Sequence, residues 1–233
     1  MVFRALLADG EGGLDRNQAM NGFRFDAPEV RERAARRLLQ APPTGYRRSD
    51  DDLNPDGRSM PAGHPPTPAS VLVPIVAHAP EASVLMTLRT DTLPSHAGQV
   101  AFPGGKIAAG DADALAAALR ETEEETGLDA SRIEPIGYLD AYLTRTNYRV
   151  VPVVGLVEPG FTLRPQVGEV AAVFEVPLRF LMTADNHLVH AREWQGSLRR
   201  FYAMPYGERY IWGATAGMLK SLYDRMYGED VTS

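Results

Sequence analysis

Few folds accommodate the stretch QVAFPGGKIAAGDADALAAALRETEEETGL, Gln99 to Leu128. An aliphatic, strand-like segment runs into Pro103, Gly104 and Gly105, and a helical pattern from Asp113 to Thr126 then places four glutamates in the five positions 121 to 125. Carboxylates at i,i+3 and i,i+4 repel one another by a few tenths of a kcal/mol, so the arrangement asks for a cation. At 100° per residue, Leu115, Leu119, Thr122 and Thr126 fall within about 60° of one another and are expected to form the buried stripe. Glu121, Glu124 and Glu125 fall in a separate sector about 100° wide, and Glu123 lies outside it. Three convergent carboxylates on a rigid helix suit a hard divalent cation such as Mg²⁺ or Mn²⁺. The glycines just upstream permit close backbone approach to a ligand.

The rest of the chain supplies strands around this unit. The segments SVLVPIVAH and ASVLMTLR read as two strands separated by a Pro-containing turn. Further strands are expected near Gly98 to Phe102, Ile133 to Tyr142, Tyr148 to Val157, His187 to Ala191, Arg200 to Met204 and Arg209 to Ile211. A second helix is expected from Ala214 to Tyr227, and a third from about Ala27 to Gln40, with Asp26 as N-cap and Pro28 in the first turn. Its arginines Arg31, Arg33, Arg36 and Arg37 read as a solvated surface and receive no role. Strand groups interleaved with a few helices indicate a mixed β-sheet covered by helices, an α/β (α+β) fold. Residues 1–69 read as an N-terminal arm with one helix and a Pro-rich linker, and residues 70–233 as the principal domain.

Composition narrows the function. The formal charge of −6 argues against non-specific binding to nucleic acid or to an anionic membrane. An anionic substrate therefore needs locally placed cations. The chain contains no cysteine, which excludes disulfides, thiolate metal sites and cysteine nucleophiles. No run approaches ~18 apolar residues, and the start MVFRALLADGEGG is shorter in its apolar part than a signal-peptide core, so a cytoplasmic location is expected.

Two linked motifs resemble a known family. Read from Gly105, the stretch is similar to the Nudix box, in which glycine, an acid, and then Arg-Glu-x-x-Glu-Glu-x-Gly follow at fixed intervals. Glu121, Glu124, Glu125, Gly127 and Leu128 match, Asp111 replaces the first glutamate, Thr122 replaces an aliphatic residue, and eight residues instead of seven precede Arg120. The extra residue and the aspartate resemble the variant found in coenzyme A pyrophosphatases of the Nudix superfamily. The upstream signature of that subgroup is matched by LMTLRTDTLPSHAGQVAFPGG at Leu85, Thr87, Arg89, Leu93, His96, Gly98 and Val100 to Gly105. It departs at Met86, Thr90 and Pro94, the last of which stands where the subgroup carries a basic residue.

The resemblance implies a Nudix-type α/β/α sandwich and divalent-metal-dependent hydrolysis of the pyrophosphate of coenzyme A or its derivatives, to 4'-phosphopantetheine and 3'-phosphoadenosine 5'-phosphate. It implies metal ligation by Glu121, Glu124, Glu125 and the Gly104 carbonyl, with Arg120 bracing a glutamate. Glu169 matches a later acidic position that can act as general base, with a solvent-facing loop position as the other reading. His96 either holds a phosphate or stabilises its loop. Arg89, Lys106 and Gly105 are expected at the substrate phosphates, and Tyr148, with Arg145 and Arg149, at the nucleotide. Other readings are a Nudix pyrophosphatase acting on ADP-ribose, NADH or another nucleoside diphosphate derivative, and a non-catalytic nucleotide sensor. The partner implied is a small molecule, with no nucleic acid and no membrane. A homodimer stays among the oligomeric states the sequence allows.

Overall fold

The computed structural model describes residues 4–5, 22–55, 64–93, 96–194 and 196–228. Its first elements are β1 (Arg4–Ala5), α1 (Ala27–Arg37), β2 (Arg48–Ser49), β3 (Thr67–Val76), β4 (Ser83–Arg89), β5 (Val100–Ala101), β6 (Gly104–Lys106) and α2 (Ala114–Thr126). There follow β7 (Ile133–Tyr138), β8 (Tyr142–Leu143), β9 (Tyr148–Val157), β10 (Val170–Pro177), α3 (Leu178–Met182), β11 (Leu188–Trp194), β12 (Ser197–Tyr206), β13 (Arg209–Trp212) and α4 (Gly213–Met226).

The aliphatic run of β3 is the centre of a nine-stranded mixed sheet with the path β10-β4-β3-β9-β8-β2. It pairs in parallel with β9 along its whole length, from Thr67↔Tyr148 to Val76↔Val157. Its side chains alternate between two covered faces, which explains why the run is apolar throughout. Leu72 and Val76 pack with Ala118 of α2, whereas Val73 and Ile75 pack with Leu219, Leu222 and Met226 of α4 and Val30 and Ala34 of α1. Helices on both faces make this an α/β/α sandwich. A second, four-stranded antiparallel sheet has the order β1-β11-β12-β13. Among the described residues, no helix is long and apolar enough to cross a membrane.

The other edge of β3 is shared. Its C-terminal end pairs with β4 at Ile75↔Val84 and Val76↔Ser83, and its N-terminal end with β6 at Ala69↔Lys106, Ser70↔Gly105 and Val71↔Gly104. Farther along the same edge β4 pairs with β5, at Thr87↔Ala101 and Leu88↔Val100, while β10 pairs along its opposite edge. The resulting fork between β4 and β6 is where the two motifs meet.

Three expectations are corrected. The first helix ends at Arg37, because Leu39 leaves it to exchange backbone hydrogen bonds with Tyr138 (3.0 and 2.8 Å). The strand expected from Ile133 to Tyr142 breaks after Tyr138, where the Leu139 amide turns to the Pro152 carbonyl at 3.0 Å. Arg33 and Arg37 are not simply solvated: they donate to the Met226 carbonyl (2.8 Å) and the Gly228 carbonyl (3.3 Å), at the end of α4. The calls on residues 1–21 and Pro94 lie outside the described residues, apart from Arg4–Ala5.

Candidate active site

Gly104 and Gly105 serve two different contacts. Gly104 has φ +149°, and a Cβ there would lie 2.4 Å from the Ser70 carbonyl oxygen and 2.5 Å from the Val71 Cα. Only glycine fits so close to the neighbouring strand. A Cβ on Gly105 would instead meet the Glu121 carboxylate, at 2.5 to 2.7 Å. The Glu121 side chain therefore lies directly over the β6 backbone.

Helix α2 is fixed at both ends. Asp113 caps its start by accepting from the Ala116 amide at 2.8 Å, a contact that contributes about 1 kcal/mol. Gly127, in the left-handed region at φ 72°, closes its end, and its amide bonds the Glu123 carbonyl at 2.8 Å. The Arg164 and Gln166 amides take the next free carbonyls, of Thr126 (2.7 Å) and Glu125 (2.9 Å). The same loop then reaches β10, and the Glu169 carbonyl accepts from the Thr90 amide at 2.9 Å. Glu169 thus stands between the end of β4 and the end of α2.

The buried stripe of α2 differs from the expected one. Ala114, Ala117, Ala118, Thr122, Glu125 and Thr126 are buried, while Leu115 and Leu119 are only partly so. The acidic sector is not separate from the packed side. Small alanines bring the helix close to β6, and Glu125, 5% exposed, enters the stripe. Its Oε2 accepts from the Gly104 amide at 3.2 Å, and the Arg89 Nη1 lies 3.9 Å from its Oε1. Burial pushes the Glu125 carboxyl up to about 7, and the charges of Glu121 and Glu169 act in the same direction against the Gly104 amide and Arg89.

Arg120 gathers the remaining acids. Its guanidinium is bidentate to Asp111 (2.9 and 3.0 Å), meets Glu121 and Glu124 at 3.0 Å each, and reaches the Lys106 carbonyl at 3.3 Å. Asp111 also accepts from the Ala108 amide at 2.7 Å, which closes the turn before the helix. Arg120 holds its carboxyl at about 2, well below the usual range.

The structure therefore brings Glu121, Glu125, Glu169, Arg89, Arg120 and the two glycines to one fork, with Glu124 turned toward Arg120. Among the described residues, no three acidic or histidine side chains already form a metal-binding group. The donor chemistry nonetheless fits a hard divalent cation. Glu125 is a buried carboxyl short of positive charge, and Glu121 sits in a cradle that a single Cβ would fill. The Arg89 Nε, buried and without a hydrogen-bond partner among the described residues, is a hydrogen-bond donor that suits an anionic ligand beside such a cation.

The other expected site residues have surroundings of their own. His96 is exposed, at φ 57°, and its Nδ1 is 3.0 Å from the Gln99 Oε1. The Lys106 side chain is exposed on β6. Tyr148 packs toward the α4 side of the sheet, away from α2. The Arg145 amide donates to Asp50 at 2.9 Å, and Arg149 bonds the Pro43 and Gly45 carbonyls. Strand β10 is not among the strands expected from the sequence, and it anchors the loop that carries Glu169. The signal for it was the aliphatic content of VAAVFEVP.

A family model described as the NUDIX domain matches residues 66–195. The Escherichia coli K12 protein named "Uncharacterized Nudix hydrolase NudL" is 42% identical over 154 residues, covering 66% of this chain and 80% of that protein. The Shigella flexneri protein of the same name is 39% identical over 170 residues, covering 73% and 87%. Among solved structures, a MutT/nudix family protein from Enterococcus faecalis aligns over 70% of this chain and 63% of its own, with 19% identity and a TM-score of 0.46. With a matching family model over most of its sheet and relatives of this identity, the chain belongs to the Nudix family and is a pyrophosphate-cleaving hydrolase.

Proposed function

We propose that this hydrolase cleaves the pyrophosphate of coenzyme A or its derivatives, to 4'-phosphopantetheine and 3'-phosphoadenosine 5'-phosphate, with Mg²⁺ or Mn²⁺. One observation carries the reading. Arg89, from the upstream motif that marks the coenzyme A subgroup, stands 3.9 Å from Glu125 of the acidic helix. The two motifs thus act on one site.

In this reading Glu121, Glu124, Glu125 and the Gly104 carbonyl would hold the metal. When bound there, the cation would supply Lewis acidity at the phosphoryl oxygens and acidify water. Arg89 offers the partly sheltered guanidinium that suits bidentate phosphate binding. Asp111 and Arg120 keep Glu121 oriented over β6. Glu169 accepts the proton of the attacking water, and its charge is already felt at Glu125.

Rates on coenzyme A, acetyl-coenzyme A, ADP-ribose and NADH, each with Mg²⁺ and with Mn²⁺, test the substrate. The expected result is a kcat/KM for a coenzyme A form at least about tenfold above that for ADP-ribose or NADH. Equal rates across the panel would overturn the assignment. Glu125→Gln is expected to lower kcat on the preferred substrate by about a hundredfold or more, and unchanged turnover would remove the metal-site argument.

A further inference from the structure

The small sheet has two unlike faces. In the register of β11, β12 and β13, Met204 and Ile211 point into the main core, joined by Tyr202 and Tyr206 at its margin. Positions of opposite parity carry His190, Arg192, Trp194, Phe201, Tyr210 and Trp212. These side chains form one continuous row. Ring centroids lie 5.3 Å apart for Phe201 and Trp212, 6.4 Å for Tyr210 and Trp212, and 5.9 Å for the stacked His190 and Tyr210. The His190 Nδ1 is 2.7 Å from the Tyr210 hydroxyl. The methyl of Ala203, fully buried, leaves room for the rings to meet across the middle strand.

The charged side chains that the strands themselves place on this face are arginines. The register places no aspartate or glutamate on it, although the chain carries a net −6. Arg199 is taken up by Asp51 at 3.6 Å. Arg192 makes no ion pair among the described residues, and its guanidinium instead lies 4.9 Å from the Trp194 ring and 5.9 Å from the Trp212 ring. Trp194 is 46% exposed. A cation held between two indoles beside open ring faces matches a planar heteroaromatic ligand that also bears negative charge.

The small sheet adjoins the strand that leads into the fork. Strand β13 packs against β5, which runs through Phe102 and Pro103 into Gly104. Directly after Trp212, α4 begins, and its Thr215 hydroxyl donates to the Val100 carbonyl of β5 at 3.1 Å. We infer that this aromatic and arginine face binds the nucleotide half of the pyrophosphate substrate, its purine base stacking on Trp194 or Trp212 and its phosphate meeting Arg192. The inference rests on the proposed nucleotide-pyrophosphate function and gives that site a base-recognition surface.

The chain has two tryptophans, Trp194 and Trp212, so its indole fluorescence reports this face alone. The full chain with chelator present, so that no hydrolysis occurs, is titrated with adenosine 3',5'-bisphosphate and, separately, with ribose 5-phosphate. Saturable quenching by the bisphosphate and none by ribose 5-phosphate is expected. Arg192→Gln, which keeps both reporters, is expected to raise the dissociation constant and the KM for the nucleotide substrate about tenfold with kcat retained. Trp194→Phe, which keeps a ring and leaves Trp212 as reporter, is expected to bind nearly as well as the parent. Absence of quenching, equal quenching by ribose 5-phosphate, or a signal that changes only with protein concentration, as a second copy on this face would give, overturns the inference. Such a result with coenzyme A hydrolysis intact leaves the proposed function standing. Binding here without any preference for coenzyme A sinks the substrate reading alone.

Discussion

Gly104 and Gly105 are adjacent and chemically identical, yet their neighbours assign them opposite costs. A methyl at Gly104 runs into the Ser70 carbonyl and the Val71 Cα, which belong to the central strand and cannot yield. Gly104→Ala also forces a side chain onto φ +149°, so it should destabilise the fold by about 2 to 4 kcal/mol. A methyl at Gly105 meets only the end of the Glu121 side chain, which can swing away. Gly105→Ala should therefore cost under about 1 kcal/mol of stability and lower kcat by about 10- to 100-fold, because it displaces a carboxylate of the site. Denaturant titration paired with turnover separates the two. If both variants lose stability alike, the carboxylate cradle over Gly105 is wrong.

At the level of elements, α2 was legible in its limits and not in its orientation. Asp113 and Gly127 mark its ends through local hydrogen-bond chemistry that a sequence displays directly. Its buried face is set by how closely alanines can approach β6, and that depends on a strand partner far away in sequence. A buried glutamate at position 125 defeats any rule that sends charge outward. Strand β10 failed for a related reason. Its Glu175 is satisfied by the His78 Nε2 at 2.8 Å and by the Ser83 hydroxyl, neither of which is a sequence neighbour. The loop from β6 to α2 is tied to the helix by Asp111 and Arg120, which gives this element its own pH signature. Held at about 2 against an ordinary 3.8, the Asp111 carboxylate stays charged in the folded chain after the unfolded chain has taken up its proton. Its contribution is whole above pH about 4 and is lost as pH falls toward about 2. Melting temperatures of the parent and Asp111→Asn should differ most near pH 5, and the gap should shrink to about a third by pH 2.5. A gap of the same size at both pH values would mean that packing, and not the ion pair, holds the loop.

Across the whole molecule, the helix before the Pro-rich segment and the last helix form one clamp on the face of the sheet opposite α2. Phe25, Val30 and Ala34 share a core with Leu219, Leu222, Met226 and Tyr227. Sequence showed both helices through their periodicity, but their meeting depends on contacts nearly two hundred residues apart in the chain, as Arg33 to Met226 is. Arg33 is the joint. It pairs with Glu29 at 3.0 Å, donates to the Met226 carbonyl at 2.8 Å, and lies over the Phe23 and Tyr227 rings at 4.1 and 5.0 Å. A cation at a helix C-terminus is stabilised by the free carbonyls there, and two ring faces add to it. Arg33→Ala removes these contacts together and leaves the Glu29 carboxylate, among the described residues, hydrogen-bonded to the amides of Arg24 and Phe25, at 2.7 Å each. It should lower the unfolding free energy by about 2 kcal/mol. The fork between β4 and β6 lies across the sheet from this clamp, so kcat/KM on the preferred substrate should stay within about twofold of the parent. A stability loss with activity kept is the signature of one cooperative body in which α1 supports the catalytic sheet. If the variant unfolds at the parent's denaturant midpoint, α1 is an attachment to the sandwich and not part of its core.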